Sequence, residues 1–186
     1  MRVIAGTAGG IPLDVPKAGV RPTMDRVKAA IFSSLGDLIV GARVLDLFAG
    51  TGGLGIEALS RGAASAVFVE DDRAAVKALE RNLARGKFAA EVRNRDVFDF
   101  LRQRSDGENY TVVFADPPYE KTKTGEPFTA LLLSDPNLAR RLDPAGLFVL
   151  EKMPSEKLPE HALWEIVRAK KYGATEVIFF RRAAVE

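Results

Sequence analysis

Arg43-Val44-Leu45-Asp46-Leu47-Phe48-Ala49-Gly50-Thr51-Gly52-Gly53-Leu54-Gly55 is the stretch on which the fold turns. A short apolar run ends in a glycine cluster, and residues 53–61 then take on helical character. Gly50, Gly52 and Gly55 make G-x-G-x-x-G between a strand and a helix, the context in which that spacing carries meaning. The glycines let the backbone turn tightly and approach a nucleotide-like ligand. Glu70 closes the next apolar run, Ser65-Ala66-Val67-Phe68-Val69, where a carboxylate can accept both ribose hydroxyls of an adenosine moiety. The plainer alternative is a tight turn plus a surface glutamate. With loop, helix and acid all in register, the ligand reading is preferred.

The same alternation continues outward. Asp71 or Asp72 can cap a helix in which Val76, Leu79 and Leu83 recur at helical spacing. Residues 91–93 predict a short third strand, Asp96 opens a helix through Phe100 and Leu101, and residues 110–115 predict an apolar fourth strand. Two helical segments follow, through Leu131-Leu132-Leu133 and over 138–142. Residues 146–151 give a fifth strand, and 164–170 and 175–181 a final pair around Lys171-Tyr172-Gly173. Strands separated by helices imply an α/β fold with a mostly parallel seven-stranded sheet covered on both faces. The last pair lacks an intervening helix and is expected to be antiparallel. Upstream, Val3-Ile4-Ala5 and Ile11-Pro12-Leu13 flank a glycine-containing turn and predict a small hairpin. A helix over 24–35 follows, with Val27, Ala30, Ile31 and Leu35 on one face. Two parts are expected: a hairpin-and-helix extension, residues 1–42, and the main domain, residues 43–186.

Asp46 separates the two cofactor classes that share this geometry. An acid there repels a dinucleotide pyrophosphate but suits the ammonium and sulfonium of S-adenosylmethionine (SAM). Asp46, Phe48, Gly50, Thr51, Gly52, Gly55 and Glu70 are therefore candidate cofactor residues, and SAM the expected cofactor. Asp96, followed by Val97, is placed to reach an adenine amino group; it can equally be a helix N-cap, and the roles can coexist.

Asp116-Pro117-Pro118-Tyr119 follows the fourth strand at the carboxyl edge of the sheet, where open α/β folds bind ligands. Two prolines fix φ and remove two donors, leaving rigid carbonyl acceptors. An exocyclic amine can donate one N–H to the Asp116 carboxylate and another to the Pro117 carbonyl, while Tyr119 stacks on a base drawn out of its helix. Asp116, Pro117 and Tyr119 are the candidate catalytic residues. The bland alternative is a Pro-Pro turn with a half-buried tyrosine.

The 186 residues contain no cysteine and one histidine, with a net charge of +2. Disulfides, thiolate metal sites and cysteine nucleophiles are thereby excluded, and no metal site is expected. His161 lies among Pro159, Glu160 and Ala162 with no nucleophile motif nearby, and reads as a solvated loop residue. Residues 1–45 carry Arg2, Lys17, Arg21, Arg26, Lys28 and Arg43 against Asp14, Asp25 and Asp37, a basic arm on a near-neutral body. Such an arm is compatible with phosphate binding and equally with a solvated surface. No apolar run approaches the ~20 residues of a membrane span, and the start has no signal-peptide core. A soluble, cytoplasmic chain with no membrane association is expected.

The combination of Asp46-Leu-Phe-Ala-Gly-Thr-Gly with Asp116-Pro-Pro-Tyr resembles amino-directed class I SAM-dependent methyltransferases, which implies a Rossmann-like domain. The front segment narrows the resemblance. Ile4-Ala5-Gly6, Pro12-Leu13, Gly19-Val20-Arg21-Pro22-Thr23-Met24-Asp25-Arg26-Val27 and Phe32 are similar to the start of RsmD-type methyltransferases of small-subunit ribosomal RNA. Leu59-Ser60-Arg61-Gly62-Ala63 and Lys171-Tyr172-Gly173 agree. The resemblance spans nearly the whole chain, and Arg-Pro-Thr-x-Asp-Arg-Val is its most specific part. It implies N2 methylation of one guanine of 16S rRNA, position 966 in the customary rRNA numbering, by a monomer acting on rRNA within a 30S particle or assembly intermediate. It also implies substrate contacts from Arg21, Thr23, Arg26 and Pro118, although Arg26 can equally brace its helix. One departure is the turn Thr7-Ala8-Gly9-Gly10, which lacks the basic and aromatic residues often found there and so bears on the strength of its RNA contact.

Rival readings remain at this level. Asp-Pro-Pro-Tyr serves adenine N6 as well as guanine N2, so an adenine-N6 DNA or RNA methyltransferase stays open. An NAD-dependent Rossmann oxidoreductase would need an acid–base pair and a substrate domain that are not found, and Asp46 argues against it. A non-catalytic RNA-binding protein on the same fold is disfavoured by the intact loop and Asp116. Residues 120–126, with Lys121 and Lys123, read as a solvated loop, a lid or an RNA contact.

Overall fold

The computed structural model describes residues 1–15, 22–103, 109–119, 122 and 125–184, with the side chains of 22–24 excepted. In chain order the elements are α1 (Pro22–Leu35), a 3₁₀ turn (Gly36–Ile39), β1 (Arg43–Leu47), α2 (Gly53–Ser60), β2 (Ser65–Glu70), α3 (Arg73–Gly86), β3 (Glu91–Asn94), α4 (Val97–Arg102), β4 (Tyr110–Ala115), α5 (Phe128–Ser134), α6 (Pro136–Arg141), β5 (Leu142–Lys152), β6 (Trp164–Tyr172) and β7 (Thr175–Arg182). They build one seven-stranded sheet in the order β3-β2-β1-β4-β5-β7-β6. The pairs from β3 through β5 are parallel, and β7 runs antiparallel to both β5 and β6. Strand order reverses between β1 and β4, a topological switch point of the kind that opens a ligand crevice beyond the strands' carboxyl ends.

The central strands are apolar and buried on both faces because helices cover both. One core gathers Ile31, Phe32, Ile56, Phe68, Leu79 and Phe114; the other gathers Leu47, Leu101, Val113, Leu132, Phe148 and Phe180. The caps expected from sequence are made: Asp72 Oδ1 accepts from Ala74 N at 2.8 Å, and Asp96 Oδ1 accepts from Phe98 N and Asp99 N at 2.9 Å.

Four local readings change. The hairpin at residues 3–13 shrinks to a single bridge, Arg2 with Pro12, because Pro12 has no N–H to extend a ladder. Val3 N still donates to Ile11 O, and Gly10 N to Val3 O, both at 2.9 Å. The fifth strand starts at Leu142, paired with Tyr110, and a register shift between Tyr110 and Val112 absorbs Asp143-Pro144-Ala145. β6 runs on through Tyr172, which leaves only Gly173 and Ala174 for the turn. His161 is half-buried: its ring stands edge-on to Phe180, and Nδ1 lies 2.8 Å from Pro159 O.

The front segment is fastened to α2. Ile4 N and Ala5 N donate to the two carboxylate oxygens of Glu57 at 2.7 and 3.1 Å, and Ala8 N donates to Ser60 Oγ at 3.0 Å. Val3, Ala8 and Leu13 lie in the same core as Phe32 and Phe68.

Candidate active site

The glycine turn leads from β1 into α2. Gly52 has φ +86° and is the N-cap of α2, a conformation that a side chain would strain. A Cβ on Gly55 would lie 2.3 Å from Phe68 Cε1 and 3.0 Å from Asp46 Oδ2, so Gly55 lets the helix seat on the sheet. Phe48 holds a left-handed φ of +55°, unusual for a bulky residue, and its ring stands edge-on to Phe98 and Phe128.

Beyond these strand ends lies a cavity of about 440 Å³, within the range of small-molecule sites. Phe48, Glu70, Asp116, Pro117, Pro118 and Tyr119 line it, so the end of β2, the glycine turn and the Asp-Pro-Pro-Tyr element meet in one space. Asp116 opens onto the cavity with protein closed round it elsewhere, and that enclosure raises its carboxyl to about 6. Tyr119 is 40% exposed, and its hydroxyl lies 3.1 Å from Thr175 Oγ1. Glu70 Oε2 accepts from Gly50 N at 2.7 Å and Oε1 from Asp72 N at 2.9 Å, so this carboxylate shapes the turn as well as facing the cavity. Burial raises its pKa.

Other sequence-predicted residues stand behind the wall. Asp46 is 2% exposed; its Oδ2 accepts from Gly55 N at 2.8 Å, and burial pushes its carboxyl up to about 8. Thr51 is buried, with its carbonyl accepting from Asn82 Nδ2 at 3.0 Å. Asp46, Gly50, Thr51, Gly52 and Gly55 build the turn without lining the cavity among the described residues. Asp96 caps α4 and Val97 is packed in the second core, again away from that lining. Arg26 is exposed on α1, while its neighbours Val27 and Lys28 reach the cavity. Arg21 and the Thr23 side chain lie outside the described residues, as do 120, 121, 123 and 124 in the segment after Tyr119.

Three functional-looking residues escape the sequence reading. Glu151, at the end of β5, lines the cavity, and burial with the neighbouring Asp116 and Asp46 charges raises its pKa well above the usual carboxylate range. Its signal was positional: an acid directly after the apolar run Leu147-Phe148-Val149-Leu150, as Asp116 follows the apolar run of β4. Lys28 and Glu57, 4% and 0% exposed, pair at 3.2 Å beside the cavity. An acid inside the apolar helix Gly-Leu-Gly-Ile-Glu-Ala-Leu-Ser was the available hint for Glu57.

Asp46, Glu70, Asp116 and Glu151 stand at the carboxyl ends of four adjacent strands, and no ion pair among the described residues joins any of them to a lysine or arginine. Burial raises all four pKa values, an environment that a cationic ligand relieves. A sulfonium bearing an amino-acid ammonium and an adenosine fits the charge, the cavity size and the glycine turn. Fold and site together define a class I SAM-dependent methyltransferase.

The chain belongs to the family described as Conserved hypothetical protein 95, whose model matches residues 1–181. It is 38% identical over 186 residues to Ribosomal RNA small subunit methyltransferase D of Escherichia coli K12, covering 99% of this chain and 91% of that one. The solved structure of E. coli yhhF superposes with a TM-score of 0.83 at 38% identity, covering 100% of this chain and 99% of that one. The Thermus thermophilus 16S rRNA N2 G1207 methyltransferase RsmC, solved with AdoMet and guanosine, matches with a TM-score of 0.69 at 26% identity, covering 90% of this chain and 44% of that one.

Proposed function

We propose that this protein transfers a methyl group from SAM to the exocyclic N2 of a guanine in small-subunit 16S rRNA, at position 966. The observation that carries this is one shared cavity, lined by Asp116-Pro117-Pro118-Tyr119 together with Phe48 and Glu70. Relatives named as small-subunit rRNA methyltransferases and a structural neighbour that methylates a 16S guanine at N2 support it.

When bound, SAM supplies a methyl group on a sulfonium that leaves as a neutral thioether. Glu70 would hold the ribose, and the glycine turn the rest of the nucleoside. Asp116 and the Pro117 carbonyl would accept the two amine hydrogens, concentrating the N2 lone pair and aiming it along the line of transfer, while Tyr119 and Pro118 cover the base. Asp116 would take up the surplus proton of the methylated N2 and pass it to water, balancing the charge lost when the sulfonium becomes a thioether. Rate enhancement comes from positioning and from fixed acceptors. No covalent enzyme intermediate is needed, in keeping with a chain without cysteine.

Among the described residues no helix is long and apolar enough to cross a membrane. We place the protein in the cytoplasm as a monomer acting on rRNA in a 30S particle or assembly intermediate. Arg21, Thr23 and Arg26 are proposed RNA contacts, and Asp96 with Val97 the adenine end of the cofactor site.

The test is tritiated SAM offered with 30S particles, naked 16S rRNA and DNA, followed by identification of the labelled nucleoside. N2-methylguanosine from one of the ribosomal substrates is expected. Label in N6-methyladenosine would replace this reading with its amino-methylating rival. Asp116→Ala is expected to lower turnover at least about a hundredfold while SAM still binds; turnover at the wild-type level would remove Asp116 from the chemistry.

A further inference from the structure

Asp116 and the Pro117 carbonyl satisfy any exocyclic amine and cannot by themselves tell one aminopurine from another. We propose that Glu151 reads the ring N1–H beside that amine and so makes the pocket selective for guanine over purines with a lone pair at N1. This rests on the methyl-transfer reading above and deepens it.

Placement is the first argument. β4 and β5 are parallel neighbours with Ala115 opposite Leu150, so the next residues, Asp116 just past β4 and Glu151 next to last in β5, stand side by side. Glu151 lines the main cavity and also a second one of about 220 Å³, and Pro117, Pro118 and Tyr119 line both. It therefore stands where the base-holding turn separates the two spaces.

The second argument is its lack of partners. Among the described residues nothing hydrogen-bonds or ion-pairs with the Glu151 carboxyl. The adjacent Lys152 is committed elsewhere, donating to Met153 O, Glu156 O and Glu176 Oε2 at 2.8, 2.6 and 2.8 Å. A half-buried acid beside two other acids is costly unless a donor arrives. Burial and the Asp116 and Asp46 charges raise its pKa, and the cation of SAM beside it restores the ionised form that accepts a donor.

Purine chemistry supplies the donor. Guanine's pairing edge carries N1–H next to the N2 amine. With the amine on Asp116 and Pro117, either N1–H or the N3 lone pair faces the neighbouring strand end, and the Glu151 carboxylate favours the orientation that presents N1–H. Adenine presented through N6, or 2-aminopurine presented through its 2-amine, turns a lone pair towards Glu151. A site built around one hydrogen bond rejects the analogue that lacks it far more strongly than an apolar pocket rejects a missing methylene.

The experiment uses full-length 16S rRNA, naked or assembled into 30S particles, carrying either guanine or 2-aminopurine at the methylated position. 2-Aminopurine keeps the exocyclic amine but has no N1–H. Wild-type kcat/KM is expected to fall at least about a hundredfold on 2-aminopurine. In Glu151→Gln, whose amide can donate to a bare N1 as well as accept from N1–H, the gap between the two bases closes to within about tenfold. SAM binding, followed by calorimetry, shows that the variant's pocket is formed; should it be lost, Glu151→Ser gives the same comparison with a side chain too small to crowd the site. Wild-type use of both bases within about threefold, or an unchanged ratio in the variant, overturns the inference and leaves the methyl-transfer reading standing. Absence of N2-methylguanosine from the wild-type reaction on guanine overturns that reading itself.

Discussion

Asp46 accepts one backbone N–H, from Gly55, has no cationic partner among the described residues, and lies at 2% exposure. Its carboxyl is pushed from 3.8 up to about 8 by burial. The linkage has a definite sign. Above pH 4 the unfolded chain ionises this group while the folded chain keeps it protonated, so stability falls as pH rises from about 4 to 8 and levels off beyond. Asp46→Asn removes that slope and keeps an oxygen to accept from Gly55. The variant is expected to be more stable than wild type at pH 7.5, with the two alike near pH 4. SAM affinity should fall by about tenfold, because the cationic cofactor loses a counter-charge. Urea melts at several pH values, paired with calorimetry, read both effects. A destabilised variant at pH 7.5 would show that the carboxylate serves the fold and not the ligand.

Elements explain which features the sequence displayed and which it hid. The alternation of apolar strands with amphipathic helices is a local signal, and β1, β2 and β4 start and end where the pattern predicts, save that β1 stops one residue before Phe48. The glycine turn, Glu70 and the Asp-Pro-Pro-Tyr element were legible because backbone geometry demands those residue types there. Glu57 was not, since its worth lies in contacts more than fifty residues away, with Ile4 N and Ala5 N. The element it creates is a clasp: Glu57 also holds Lys28 at 3.2 Å and Arg61 at 2.7 Å, and Lys28 Nζ donates to Arg2 O at 2.5 Å. Burial, with a smaller contribution from the Arg61 charge, lowers the Lys28 pKa, and the Glu57 charge opposes that shift. Glu57→Ala strands Lys28 and two backbone donors, and is expected to cost about 3–5 kcal/mol in urea unfolding. Hydrogen exchange at Ile4 and Ala5 should quicken beyond what the global loss explains. Because Met1, Val27 and Lys28 line the cavity, KM should rise in the folded fraction. A loss below 1 kcal/mol would mean that the front segment is held by its apolar contacts alone.

Across the whole molecule the sheet gathers Glu70, Asp46, Asp116 and Glu151 at the ends of β2, β1, β4 and β5, the four strands that flank the switch point. Single positions do not reveal this; it follows from strand order, which brings residues from four separate sequence regions to one edge. The free protein carries the group in partly protonated form near neutrality, with Asp116 raised to about 6 and Asp46 to about 8. A sulfonium favours the ionised forms and lowers their pKa values on binding, so binding releases protons. SAM affinity is therefore expected to rise with pH from about 5 to 8 and then level off. S-adenosylhomocysteine keeps the ammonium but lacks the sulfonium charge, so its affinity should climb less, and the preference for SAM over product should widen with pH. Titration calorimetry at pH 7 in two buffers of different ionisation enthalpy should show net proton release for SAM. Proton uptake, or parallel pH profiles for the two ligands, would show that the four carboxyls do not sense the sulfonium and that discharge of product rests on shape alone.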